Sequence, residues 1–418
     1  MTLTFKLPYG KGEREVTMPR RGWVGTFLPN KTVGEGREAD LIWSALQNPI
    51  GTPRLGALVQ QGQRIVIITS DMTRPCPNDK LLPPLLKELE DAGADLEQIT
   101  VVMALGLHRP MTEAELRLSV GAEVYDKVRV INHDINDVVY VGTTSRGTHV
   151  EVFREVVEAD FRICLGNVEF HYFAGYSGGA KALIPGTASE RTVTENHSHM
   201  VKDTAVAALI DGNPVREDLE EAAAMVGIDF ILNVIVDEHH RIVDAAAGDV
   251  IQAHRALCRR LAAEGVVQLP AKVDLALVSA GGDPKDINLY QAQKALDNCA
   301  SVVRPGGVII LVAECGEGYG SKVFQQWMTS GKAPGELLAD LRRQFVLGGH
   351  KAAAISKVST SAEIILVTSS VLAEEKMVGM TVTGSLEGAL RRAEEILGPD
   401  YTYAVFPLGA STLPQVVN

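Results

Sequence analysis

Long apolar runs are missing from this chain of 418 residues. No stretch approaches the roughly eighteen consecutive apolar residues that a bilayer-spanning helix needs. The opening MTLTFKLPYGKGEREV lacks an apolar core and reads as a first strand and turn, not as a signal peptide. Cysteine is scarce: Cys76, Cys164, Cys258, Cys299 and Cys315 are odd in number and scattered, with no C-x-x-C pair. That excludes a disulfide framework and a zinc knuckle, and it points to a reducing cytoplasm. Basic residues are outnumbered, and the net charge of −12 removes nucleic acid as a partner, because binding phosphate needs a basic patch. No membrane partner is expected either. The G-x-G-x-x-G dinucleotide fingerprint and the Walker sequence are both absent; the loop Gly316 to Gly320 spells G-x-G-x-G instead. There is no internal repeat and no low-complexity segment.

What is present is an alternation of short β-branched runs with helical patterns. Arg64 to Thr69 (RIVIIT), Gln98 to Leu105 (QITVVMAL), Val128 to Asn132, Phe161 to Leu165 and Phe230 to Val236 read as buried parallel strands. Asn78 to Gly93 reads as a helix, and Thr112 with Glu115 forms a capping box for another. Asn213-Pro214 starts a helix that runs to Val226. Asp249 to Glu264 reads as an amphipathic helix, and Leu269-Pro270 as a boundary. A second α/β unit begins at Val273 to Ser279 and continues with a helix through Gln291, Lys294 and Leu296 and strands at Gly307 to Ala313 and Ala362 to Thr368. A helix at Leu386 to Leu397 follows. Tyr401 to Phe406 reads as a last strand returning to the first domain. Strand–helix alternation implies right-handed βαβ units and parallel-type sheets, hence an α/β protein of two α/β domains.

In such sheets ligands bind beyond the carboxyl ends of the strands. Asp71, Thr73 and Arg74 follow one strand end, His108 the next, and His171 a third. Polar sets far apart in sequence therefore converge on one rim. Arginine matches a carboxylate in a bidentate way, and a structural ion pair with Asp71 is the plain alternative for Arg74. His108 can serve as a base near neutral pH.

The stretch Glu169 to Met200 organises the rest. It holds His171, Lys181, His197 and His199, with Gly175, Gly178, Gly179 and Gly186 around the lysine. Glycine admits positive φ and close approach. A lysine desolvated among small residues loses basicity and becomes a nucleophile or covalent anchor. Thr187 with Glu190 is a candidate capping box, which places His197 near the far end of the helix it opens. Gln291 and Lys294 lie one turn apart on one helix face, either toward a ligand or toward solvent. His133, His149, His239, His240, His254 and His350 lack such surroundings and are set aside.

Two histidines with a carboxylate-binding arginine suit a racemase, which needs a base on each face of a stereocentre. The α-hydrogen of a 2-hydroxy acid is hard to remove as a proton and easier as hydride. That route requires a hydride acceptor, and no nicotinamide fingerprint supplies one.

The segments SDMTRP (Ser70 to Pro75), GLHRPMTEAEL (Gly106 to Leu116), HYFAGYSGGAKALIPG (His171 to Gly186), ENH (Glu195 to His197) and QAQKAL (Gln291 to Leu296) resemble, in order and over essentially the whole chain, the nickel-pincer lactate racemase family. The resemblance implies two α/β domains with the active site in the inter-domain cleft: residues 1–268 with 400–418, and residues 270–399. It implies a nickel pincer nucleotide, a pyridinium mononucleotide installed by cofactor maturation proteins and tethered to Lys181. His197 would be the nickel ligand, with His199 second to it. His108 and His171 would be paired acid/base residues. Arg74, Gln291 and Lys294 would hold a small 2-hydroxy acid, and Asp71 and Thr73 would position the site or meet the cofactor phosphate. Met72 stands where some members carry histidine. The Leu347 to Lys351 loop lies where the family often places a bulky group over the substrate, so lactate and related 2-hydroxy acids are both open. Two other readings remain: a pyridoxal-phosphate enzyme using Lys181, and a non-catalytic carboxylate- or nucleotide-binding protein.

Overall fold

A computed structural model describes residues 1–29, 36–237 and 240–417. The chain forms two compact units, Thr32–Ala262 and Met1–Lys31 with Ala263–Asn418.

The unit Thr32–Ala262 is built on a six-stranded sheet. Its order is Ile242–Gly248, Phe230–Val236, Phe161–Asn167, Ile65–Ser70, Ile99–Ala104 and Arg129–Asn132. All neighbours pair in parallel except the edge strand Ile242–Gly248, which runs antiparallel to Phe230–Val236. The apolar runs are continuous rather than alternating because both faces are covered. Ile65, Ile67, Val101, Met103, Ile163 and Leu165 share a core with Leu81, Leu82, Leu85 and Leu89 of the helix Asn78–Asp91. The helix Glu113–Val120 has the expected Thr112–Glu115 capping box. A hairpin, Val138–Thr143 with His149–Phe153, went unread in the sequence.

The helix Glu190–Ser198 is capped by Ser189, whose hydroxyl accepts from Thr192 N–H at 3.2 Å, and not by Thr187. Thr187 still belongs to the preceding turn: both its N–H and its hydroxyl donate to Leu183 O. A cap needs extended backbone, and Ser189 has it, with φ −64° and ψ 160°.

The other unit carries a second six-stranded sheet, ordered Thr381–Thr383, Ala362–Val367, Val303–Val312, Val273–Ser279, Tyr403–Phe406 and Trp23–Thr26, all parallel. Successive side chains point to opposite faces. Ala276 and Val278 face a core with Leu289, Leu296 and Ile355. Leu275 and Leu277 face one with Phe5, Leu7, Val16, Leu386 and Ala393.

The expected division of the chain is therefore corrected. Residues at both termini, and residues 263–268 with them, group with the second unit and not with Thr32–Ala262. Tyr403–Phe406 is buried at every position and pairs with Val273–Ser279 on one side and Trp23–Thr26 on the other. A short, wholly apolar strand requires two partners, and its own sequence does not say which sheet supplies them.

Candidate active site

Three neighbouring parallel strands, Phe161–Asn167, Ile65–Ser70 and Ile99–Ala104, end side by side. Each runs straight into one of the expected polar sets.

After Ile65–Ser70 the chain turns on Asp71. This buried carboxylate accepts at Oδ1 from the Thr73 hydroxyl (2.6 Å) and the Thr73 N–H (3.1 Å). Its Oδ2 accepts from Nδ1 of His108 at 2.6 Å. Burial pushes the Asp71 carboxyl up, but the bonds from His108 and Thr73 outweigh it and hold the group below its ordinary value. A carboxylate can only accept, so the His108 ring proton sits on Nδ1 and Nε2 carries the lone pair. Arg74 is exposed and, among the described residues, makes no ion pair. Asp71 is engaged by His108 instead, so the structural ion pair considered from sequence does not form.

After Phe161–Asn167 the chain folds Phe170–His171 back on Gly175–Tyr176 and turns through Gly179–Ala182. The ring of buried Phe173 is the hub of this segment. His171 meets it edge-on at 4.5 Å between ring centres, and His197 does so at 5.0 Å. Lys181 Nζ lies 5.8 Å from its centre. Three of the expected residues, spread over 27 positions from His171 to His197, thus converge on one side chain that sequence reasoning passed over. Burial lowers the Lys181 amine well below the ordinary lysine range, and the positive charges of Arg216 and Arg74 lower it further. His171 is also lowered well below its ordinary value, first by burial and then by Lys181, Arg74, His197 and Arg216. Ala174 N–H donates to His171 Nδ1 at 3.3 Å, so the resting ring proton is on Nε2.

Buried side chains from elsewhere in the unit hold this segment by its backbone. Arg216, fully buried on the helix Pro214–Val226, donates through Nε to Ala174 O at 3.1 Å and through Nη2 to Tyr176 O. Asn213 Nδ2 donates to Phe173 O at 3.0 Å. His254, set aside in the sequence, is buried and donates through Nε2 to Ser177 O at 2.8 Å. Gly179 N–H donates to Asn233 Oδ1 at 2.7 Å. A Cβ on Gly179, which has φ +59°, would stand 2.8 Å from the His254 ring. That glycine therefore serves the packing of His254. Arg216 stands in the first turn of its helix between Val215 and Glu217, and nothing in that pattern marks it as buried.

His197 lies in the last turn of its helix, and its Nδ1 is 3.2 Å from Asn196 Oδ1. His199 Nε2 faces Asp218 at 3.9 Å. His239 lies outside the described residues. Gln291 and Lys294 belong to the other unit, on the helix Leu289–Ala300 capped by Asn288; Gln291 is half-buried and Lys294 exposed. The Leu347 to Lys351 segment is a loop only in part. Gly349 to Lys351 open the helix Gly349–Ser359, and Lys351 is buried with its Nζ donating to Gln293 Oε1 at 2.8 Å.

Comparison with known proteins shows two family matches, the lactate racemase N-terminal domain over residues 9–208 and the lactate racemase C-terminal domain over residues 268–413. The lactate racemase of Thermoanaerobacterium thermosaccharolyticum is 33% identical over 98% of both chains. The chain belongs to the lactate racemase family. A second lactate racemase, from Lactiplantibacillus plantarum, is 32% identical over 79% of this chain and 80% of its own. The structure of the Thermoanaerobacterium lactate racemase apoprotein superposes with a TM-score of 0.89, covering 99% of this chain and 100% of that one at 31% identity. A Thermotoga maritima protein at 18% identity and a TM-score of 0.66, covering 94% of this chain and 100% of its own, shares the fold alone. Asp71, Thr73, Arg74, His108, His171, Lys181 and His197 fall within the lactate racemase N-terminal match, and Gln291 and Lys294 within the C-terminal one. Among the described residues no group of three His, Cys, Asp or Glu side chains is arranged to hold a metal ion, and no helix is long and apolar enough to cross a membrane.

Proposed function

We propose that this protein racemises or epimerises a small 2-hydroxy acid, lactate or a close relative. The observation that carries this reading is the convergence of His171, His197 and Lys181 on Phe173 in a chain with the Asp71–His108 pair and full-length kinship to a lactate racemase.

The relative solved as an apoprotein takes a cofactor, and the residues here suit a nickel pincer nucleotide. Burial depresses the basicity of the Lys181 amine, which suits it to covalent bond formation. His197 offers a single imidazole, and among the described residues there is no protein cluster of the kind a self-contained metal site would need. That donor set fits a metal whose other ligands come from a tethered organic group. Lys181 would hold the nucleotide and His197 the nickel, while Thr73, whose hydroxyl and N–H both donate to Asp71, positions that carboxylate. When bound, the cofactor supplies the acceptor for the substrate's α-hydride.

The chain's own residues do the rest. Arg74 holds the carboxylate of the substrate. His108 takes the hydroxyl proton at Nε2, because Nδ1 is committed to Asp71. The imidazolium that forms is stabilised by the Asp71 carboxylate at 2.6 Å. His171 serves the opposite hand. With its resting proton on Nε2, His171 accepts at Nδ1, where the lone pair is. The Ala174 N–H contact to that atom is 3.3 Å, beyond the usual range for such bonds, and is lost at small cost.

The test is co-expression with the maturation proteins, peptide mass mapping of Lys181, and a chiral panel of 2-hydroxy acids. A mass adduct on Lys181 with bound nickel, and turnover abolished by Lys181→Ala, are expected. An unmodified Lys181 beside a modified positive control overturns the reading, and a pyridoxal-phosphate adduct would replace it.

A further inference from the structure

We propose that Asn196, itself held by Asp218, fixes the ring tautomer of His197 and so makes Nε2 the atom this histidine offers to a metal. The inference rests on the proposed role of His197 and assigns a positioning function to two residues outside that reading.

The argument starts at Asp218, fully buried on the helix Pro214–Val226. Its Oδ1 accepts from the Thr144 hydroxyl at 2.6 Å. Its Oδ2 accepts from the Thr148 hydroxyl at 2.8 Å and from Asn196 Nδ2 at 2.8 Å. Both threonines flank the turn of the hairpin Val138–Thr143/His149–Phe153, so the carboxylate is anchored from a second element.

Asn196 has no solvent exposure. Its Nδ2 reaches two acceptors, Asp218 Oδ2 and the Val215 carbonyl at 3.2 Å. Neither can donate, so the amide nitrogen must lie on that side. Turning the amide over would set its oxygen against a carboxylate and a carbonyl with no water to intervene, an arrangement buried polar groups avoid. The amide oxygen therefore faces His197, and it can only accept. The Nδ1 atom of His197, 3.2 Å away, must carry the ring proton. A neutral imidazole has one such proton, so the lone pair is on Nε2. Metal-binding histidines are characteristically oriented in this way, by an acceptor on the ring nitrogen away from the metal.

The same geometry accounts for His199. Its Nε2 points to Asp218 Oδ1 at 3.9 Å, on the supporting side of the arrangement.

The experiment is long-range 1H–15N spectroscopy of the full-length unmatured chain labelled with 15N-histidine, His197 being assigned with His197→Gln. Wild type is expected to show a protonated Nδ1 and an unprotonated Nε2. Asn196→Ala is expected to give mixed tautomers. After maturation, Asn196→Ala should keep its Lys181 adduct but lose nickel to a chelator roughly 10–100-fold faster. A protonated Nε2 in the wild-type spectrum overturns the proposal without recourse to any variant. So does an unchanged tautomer in a folded Asn196→Ala. Because the spectra need no cofactor, an unmodified Lys181 after maturation would sink the racemase reading and leave the tautomer result standing.

Discussion

Oδ2 of Asp71 lies 2.6 Å from Nδ1 of His108, across two strand-end turns that are 37 positions apart in the chain. The pair turns an exposed histidine into a base of defined tautomer, with the proton on the atom facing the carboxylate. Asp71→Asn offers an amide that can present either end to the ring. We expect it to lower kcat by about 10²-fold with little change in KM, and His108→Ala to lose about 10²–10⁴-fold. Chiral turnover assays on the matured protein check both; wild-type kcat in Asp71→Asn would break the link.

Arg216 should affect stability and Lys181 together. Arg216→Met removes a buried guanidinium from the Ala174 and Tyr176 carbonyls. A loss of about 3–5 kcal/mol in urea unfolding is expected, the usual consequence of breaking a buried charged contact. The same charge helps to hold the Lys181 amine down, after burial. Without it the amine is protonated up to a higher pH. The midpoint of Lys181 labelling by a small amine reagent should therefore move upward, and a midpoint that stays put would separate Arg216 from Lys181.

Gly179 tests the fit of the lysine turn. With φ +59° and the His254 ring 2.8 Å from where a Cβ would be, Gly179→Ala strains the backbone and overpacks at once. We expect a destabilisation of about 2–4 kcal/mol and reduced Lys181 modification by mass. Full modification at wild-type thermal stability would show that the turn tolerates a side chain.

Acid should destabilise the fold through its buried histidines. His133, buried and edge-on to Phe153, is lowered by burial to about 4 from an ordinary 6.5. Between those values the unfolded chain binds the proton and the folded chain does not, so stability rises with pH across this window. It is fully present above about pH 6.5 and is lost as pH falls toward 4. His133 alone accounts for roughly 3 kcal/mol of that loss. Urea titrations at a series of pH values should show His133→Phe flattening the slope; an unchanged slope would assign the acid sensitivity to other groups.

Local pattern determined a good deal of this protein. The runs at Ile65–Ser70, Ile99–Ala104 and Phe230–Val236 are strands because β-branched residues without polar interruption suit a sheet covered on both faces. The helices beginning after Asn213 and Thr112 start where their caps announce them. The rim holding Asp71, Thr73, Arg74, His108 and His171 was legible because parallel strands place their carboxyl ends together. Lys181 and His197 stood out through their unusual surroundings.

Tertiary structure alone decided the rest. Tyr403–Phe406 and Trp23–Thr26 joined the sheet of Val273–Ser279 because an apolar strand names no partner of its own. Phe173 became the centre of the site because three groups fold against one ring. Arg216, Asp218, Asn196 and His254 look ordinary in sequence, each a polar residue that could have faced water. Their roles arise only when burial removes water and leaves their donors and acceptors to find partners within the protein.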